Sequence, residues 1–193
     1  MNRSKIEKMT ESGFWVFGYG SLIWRPDFIF SEKHTARIDG YFRSFCMWSV
    51  RYRGTKQCPG LVLALEKQRG TQCHGVVYFV EAKNASKAIG DLRQRELTSD
   101  AYQELLCPVI LDSGEKVDAI CYVIDPSHEE YCGALTLEAQ AQIIAHASGS
   151  RGPNSEYLFN TCKSIERLEI FDENLEILQK RVSELQNAMV AIN

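Results

Sequence analysis

Several features that would assign this chain at once are missing from it. No apolar run approaches the roughly 20 residues a bilayer-spanning helix needs, so no membrane partner is expected. The opening residues, Met1 to Ser12, are polar and charged and lack the apolar stretch of a secretory signal, which makes the cytoplasm the expected compartment. Basic residues are not in excess: 22 Lys and Arg stand against 25 Asp and Glu, a formal net charge of −3. That balance speaks against a nucleic-acid partner, and no acidic tail suggests disorder. The seven cysteines contain no Cys-x-x-Cys pair, and their number is odd. Secreted disulfide frameworks show even counts in shorter chains, and structural zinc sites need closely paired ligands. Cys73-His74, and His128 with Cys132, come nearest to a ligand pair, but two ligands do not make a site. No metal is expected, and most cysteines read as small core residues in a reducing compartment.

What is present is an ordinary globular composition. The chain has 193 residues, 45% hydrophobic and 24% charged, enough for one domain with a sizeable core. No repeat, linker or low-complexity tract divides it. Phe14 to Phe17, Tyr41 to Trp48, Gly60 to Leu65 and His74 to Val80 read as strands, the last two as buried apolar runs flanked by breakers. Leu105 to Leu111 and Val117 to Ile124 flank Asp112-Ser113-Gly114-Glu115, which has the chemistry of a hairpin turn. Helices are predicted over Asn84 to Leu97, from a Thr136 cap to about Ser148, over Ser155 to Leu168, and after an Asp172 cap. The last carries the stripe Leu175, Leu178, Val182, Leu185 and Met189. The order suggests an α+β fold, with a sheet or barrel first and helices packed around it.

Two local features carry chemistry. Gly18-Tyr19-Gly20-Ser21 follows a strand. Its glycines allow positive φ and close approach of the backbone to a ligand, and consecutive N–H groups in such a turn can hold a carboxylate or an oxyanion. A plain tight turn between strands is the competing reading. Nucleotide and acyl-enzyme readings fail on spacing: no Lys follows, position 23 is Ile rather than Gly, and Ser21 is followed by Leu22 and Ile23. The second feature is Glu96. Ala85, Ala88, Ile89 and Leu92 form a helical stripe whose next member is Glu96. A carboxylate on a buried face is costly unless paired, and desolvation would suit it to act as a general base. Alternatively it lies in a frayed last turn, reaching solvent or pairing with Arg93 or Arg95.

Phe14-Trp15-Val16-Phe17-Gly18-Tyr19-Gly20-Ser21-Leu22-Ile23-Trp24 resembles the opening signature of the ChaC-type, glutathione-directed γ-glutamylcyclotransferases. Arg95-Glu96 resembles that family's Arg-Glu pair, whose Glu is catalytic. Tyr131-Cys132-Gly133, Leu137 and Gly152-Pro153-Asn154-Ser155-Glu156-Tyr157-Leu158-Phe159 resemble its later segments. The correspondence runs from about Phe14 to Leu168, leaving residues 1–13 as an N-terminal extension before a domain of residues 14–193.

The resemblance implies a single-domain mixed β-barrel with surrounding helices and no metal or organic cofactor. It implies that the α-amine of a γ-glutamyl group attacks its own γ-carbonyl, releasing 5-oxoproline and, from glutathione, Cys-Gly. Glu96 is then the expected base. Val16, Phe17, Gly18, Tyr19, Gly20, Ser21 and Leu22 become the expected substrate loop, and Tyr157 a further contact, although a Tyr on an apolar helix face also reads as core. The segment Trp48 to Pro59 departs from the Gly-rich version found in parts of the family. Arg51 and Arg53 within it read as a solvated loop in preference to partners for the glycine carboxylate of glutathione. Other γ-glutamyl amides or peptides remain as substrates, and a non-enzymatic γ-glutamyl-binding regulator remains as a reading. A thiol enzyme built on Cys73-His74 is disfavoured, because strand neighbours point to opposite faces. Oligomeric partners are left unassigned by the sequence.

Overall fold

Short strand signals in the first half turn out to belong to long strands. In the computed structural model, which describes residues 6–9 and 11–192, β1 is Phe14–Gly18, β2 Glu32–Ser49, β3 Gly60–Val80, β4 Tyr102–Leu111 and β5 Lys116–Ile124. The two apolar runs Gly60 to Leu65 and His74 to Val80, read as separate strands from their breakers, are one 21-residue strand. Its middle, Lys67 to Gly70, is exposed, so burial and not pairing is what lapses there. Gly70 has φ +86, a conformation open to glycine, and an added side chain there would meet open space. The hairpin was correctly read: Gly114 takes φ +88, and β4 and β5 pair antiparallel from Tyr102↔Ile124 to Ile110↔Lys116.

The strands close into a barrel in the order β1-β3-β2-β4-β5. β1 runs antiparallel to β3, with Phe14 opposite Val80 and Gly18 opposite Val76. It runs parallel to β5, with Trp15 opposite Ala119. Alternation then sorts the side chains. Phe17, Cys73, Cys107, Ala119, Cys121 and Val123 meet in one cluster. Val16, Ile120 and Tyr122 face the other way, against the helix α1, Ala82–Glu96. A strand covered on both sides reads as a continuous apolar run, which is what Ala119 to Ile124 shows.

The α1 stripe is as expected: Ala85, Ala88, Ile89 and Leu92 are all buried. Burying each of the two larger side chains contributes about 1.5–3 kcal/mol. Ile6, within the region read as an N-terminal extension, is buried in the same cluster; residues 1–5 and 10 of that region lie outside the described residues.

The fold is thus a single α+β domain on a closed barrel with helices, and the chain groups into two compact units. The first comprises Met1–Arg43 and Leu65–His128, the second Ser44–Ala64 and Glu129–Asn193. The second holds α2 (Leu137–His146), α3 (Asn154–Glu166) and α4 (Glu173–Ile192), with a two-residue hairpin β6 (Ser148–Gly149) and β7 (Gly152–Pro153) leading into α3. The Thr136 and Asp172 caps are in place: Thr136 accepts from the Ala139 N–H at 3.2 Å, and Asp172 from the Leu175 N–H at 3.2 Å; Asn84 and Ser86, the candidate caps for the first long helix, lie inside α1 instead. Leu175, Leu178 and Val182 of the α4 stripe are buried. No helix among the described residues is long and apolar enough to cross a membrane.

Candidate active site

The glycine loop is rigidly backed. After β1 the chain makes a 3₁₀ turn over Ser21–Ile23, closed by Ile23 N–H donating to the Gly20 carbonyl at 2.9 Å. The Tyr78 hydroxyl donates to the Leu22 and Ile23 carbonyls at 3.0 and 3.2 Å. Arg43 donates to the Tyr19 carbonyl at 2.6 Å and also to the His74 carbonyl. The Tyr19 hydroxyl donates to the Tyr122 carbonyl at 2.8 Å. Burial pushes the Tyr78 phenol up, so it stays a neutral donor.

Sequence reasoning missed Arg43 and Tyr78. Arg43 had a signal: it shares the phase of Tyr41 and Phe45 on β2, so a cation was due on the side facing the core. The glycines allow positive φ but do not use it: Gly20 has φ −134, and Gly18 is not in the positive range. Close approach explains Gly18, since a Cβ there would lie 3.0 Å from the Leu22 Cβ. Packing also decides Gly75 on the neighbouring strand, whose Cβ would come within 2.3 Å of the Gly18 carbonyl oxygen.

Of the loop residues, Val16, Phe17, Tyr19 and Leu22 are buried. Val16 and Leu22 pack in the cluster under α1 and Phe17 and Tyr19 in the barrel cluster. Their side chains brace the loop; what it presents is backbone and the Ser21 hydroxyl.

Glu96 is the last residue of α1, and both open readings of it hold in part. It lies in the final turn and is ion-paired, its Oε1 3.0 Å from Arg95 Nε. It does not reach freely into solvent, because the Glu96 and Arg95 side chains are each only 16% exposed. Arg95 is the junction: Nη2 donates to Ser21 Oγ at 2.7 Å, and Nη1 to the Arg25 carbonyl at 2.5 Å. Nη1 also lies 3.4 Å from Asp27 Oδ2. One guanidinium therefore spans the loop and the carboxylate that sequence spacing had singled out separately.

At 100° per residue, Arg93 points to the opposite side of α1 from Arg95. It forms a bidentate pair with Glu104 of β4, with Nε and Nη2 2.7–3.1 Å from the carboxylate oxygens. Glu104 also accepts from the Tyr122 hydroxyl at 3.2 Å. Burial, and then the charges of Glu104 and Glu96, push the Tyr122 phenol up. Tyr122 is thereby kept protonated beside both carboxylates.

Tyr157 lies in the second unit, on α3. It packs edge-on against Phe45 with ring centroids 5.9 Å apart. Arg53 is not the solvated residue it was read as: it is 6% exposed. It donates to the Pro153 carbonyl at 3.0 Å, lies 3.6 Å from Glu156 and sits over the Tyr157 ring. Burial lowers its pKa. Arg51 is exposed, as expected. Cys73 is buried and His74 exposed, opposite faces as strand alternation requires. Inside the barrel, hydrogen bonding to Cys121, with a further bond to Tyr41, brings the Cys107 thiol down to about 7 against the opposing effect of burial. Among the described residues no group of three or more His, Cys, Asp or Glu is placed to hold a metal ion.

These features can be set against known proteins. The model of the ChaC-like protein family matches residues 14–185. The glutathione-specific γ-glutamylcyclotransferase of Escherichia coli (strain K12) is 35% identical over 175 residues, covering 91% of this chain and 75% of its own. The γ-glutamylcyclotransferase 2-3 of Arabidopsis thaliana is 32% identical, covering 87% of each chain. Among solved structures, a yeast γ-glutamylcyclotransferase specific to glutathione superposes with TM-score 0.82 at 25% identity, over 90% of this chain and 96% of that one. The architecture is that of the γ-glutamylcyclotransferase-like barrels. Within that class, the chain belongs to the ChaC-like family.

Proposed function

We propose that the protein is a γ-glutamylcyclotransferase that cleaves glutathione by cyclising its γ-glutamyl group, with Glu96 as the general base. The observation that carries this reading is the joining, through Arg95, of the Ser21 loop to Glu96. A nucleophile supplied by the substrate requires only a cradle and a proton carrier, and the link through Arg95 between Ser21 and Glu96 supports reading them in those roles.

In this reaction the substrate α-amine attacks the γ-carbonyl carbon. A new C–N bond closes the five-membered ring, and the bond from that carbon to the cysteinyl nitrogen breaks. Glu96 takes the proton from the amine and delivers it to the leaving nitrogen, so 5-oxoproline and Cys-Gly form with no net proton change. The turn N–H groups and the Ser21 hydroxyl hold the substrate carboxylate or the developing oxyanion. Because protein donors engage the Tyr19, Leu22 and Ile23 carbonyls, the loop needs little rearrangement, and a preset loop favours the folded γ-glutamyl conformer. The names of the relatives support glutathione as the substrate. That all seven cysteines stand as thiols supports action in the cytoplasm.

Parallel assays on glutathione and γ-glutamyl-alanine test the substrate. Turnover of glutathione with little on γ-glutamyl-alanine is expected. Turnover of γ-glutamyl-alanine alone would transfer the assignment to other γ-glutamyl amides, and turnover of neither would leave a binding protein.

A further inference from the structure

We propose that Arg95 is a positioning residue that locks the orientation of Glu96 to the Ser21 loop and keeps that carboxylate ionised. The inference rests on the reading of Glu96 as the base. Four contacts define the role: Ser21 Oγ at 2.7 Å, the Arg25 carbonyl at 2.5 Å, Asp27 at 3.4 Å and Glu96 at 3.0 Å. The first three fix the guanidinium to the segment after β1. The fourth passes that fixed position on to the base.

The arrangement follows from the helix end. Glu96 closes α1, so its backbone has only one helical flank to steady it, and the last turn of a helix frays readily. A lone carboxylate there would sample several rotamers. Tethering it to a guanidinium held on three sides removes that freedom, and the planar fork of arginine suits several simultaneous contacts where a lysine ammonium does not. The neighbouring charge also matters. An adjacent cation favours the ionised form of a carboxylate, and only the ionised form can accept the proton of the substrate amine. Among the described residues, the charged or titratable groups about this turn include Arg93 on the same helix, Glu104 of β4 and Tyr122 of β5, which bond to one another, and Glu7, whose charge acts on Arg93. Arg25 and Asp27 of the loop segment form their own pair. Of the cations among these, Arg95 is the one bonded to both the loop and Glu96.

The test is a pH–rate profile of 5-oxoproline formation from glutathione, with kcat and KM determined separately, for the wild type, Arg95→Gln and Arg95→Lys. A positioning role predicts that Arg95→Gln loses about 100-fold in kcat, with a smaller change in KM. The acid limb of its profile should shift up by about one pH unit. Arg95→Lys should restore the acid limb but not the rate. An Arg95→Gln profile with an unmoved acid limb, whatever its rate, would overturn the proposal. Where Arg95→Gln fails to fold, a cycle of Ser21→Ala and Arg95→Lys decides: non-additive losses in kcat support the coupling, and additive ones refute it. Glu96→Gln, measured alongside, separates the two claims. Retained turnover there removes the base itself, whereas an inactive Glu96→Gln beside an unshifted Arg95→Gln profile removes only the role of Arg95.

Discussion

The end of α1 and the face between α2 and α4 each carry an arginine–carboxylate pair, and the two are built differently. Arg95–Glu96 is largely buried and joined to Ser21, Arg25 and Asp27, so its charges converge on one loop. Arg181 meets Glu138 at 2.7 Å and also Glu184, but its side chain is 40% exposed and that of Glu138 53%. It ties one helix to another and faces no loop. The second unit does bury polar groups, and two of them serve backbone: the Asn154 amide bridges the Leu61 N–H and carbonyl at 2.6 and 2.7 Å, and Thr161 bonds the Tyr157 carbonyl at 2.9 Å. Ion pairs by themselves do not single out a candidate site; convergence of several on one loop is what singles out this one.

Substitutions can break or sharpen this contrast. Glu96→Gln should have the largest effect, lowering kcat on the order of 10³-fold or more while leaving the melting temperature close to that of the wild type, as paired kinetics and thermal unfolding would show. Full turnover would remove the distinction between the two regions. Next comes Asn154→Ala, read by denaturant unfolding. It leaves a buried N–H and carbonyl of Leu61 without their partner and should cost about 2–3 kcal/mol. A loss below about 0.5 kcal/mol would mean water repairs the gap.

Arg181→Gln should have the smallest effect. Hydrogen bonding to Arg181 and then Gln142 holds the Glu138 carboxyl at about 2, against an ordinary value of 4.5. A depressed carboxyl contributes stability above its unfolded pKa, and that contribution is lost as pH falls from about 4.5 through about 2. At full exposure the contribution is small. Thermal unfolding of Arg181→Gln should therefore match the wild type near pH 2 and lie slightly below it at pH 7. A large deficit at pH 7 would show the exposed pair to be worth more than solvent screening allows.

Much of this was legible in the sequence, for physical reasons. The α1 stripe, the Thr136 and Asp172 caps and the Asp112 to Glu115 turn are local, and local rules describe them. Glu96 stood out because helical spacing continues the apolar stripe to it, and in the structure it is partly buried at the end of that stripe. Other features depend on distant partners. The unity of β3 was hidden by its polar, exposed middle, which looks like a loop until pairing is seen. Arg43 and Tyr78 were missed because their acceptors, the carbonyls of residues 19, 22 and 23, are backbone atoms that no side-chain pattern reports. Arg53 was misread because its burial comes from Pro153, Glu156 and Tyr157, about a hundred residues further on. In the sequence Arg95 is only half of an Arg-Glu pair; its contact with Ser21, 74 positions away, is what brings it into the candidate site.

The central claim is that the γ-glutamyl group closes on itself with Glu96 as the proton carrier. Its most direct measurement is the product stoichiometry from glutathione, for wild type and Glu96→Gln. The account predicts 5-oxoproline and Cys-Gly in equal amounts from the wild type and almost none from the variant. Free glutamate in place of 5-oxoproline, or undiminished 5-oxoproline from Glu96→Gln, would contradict it.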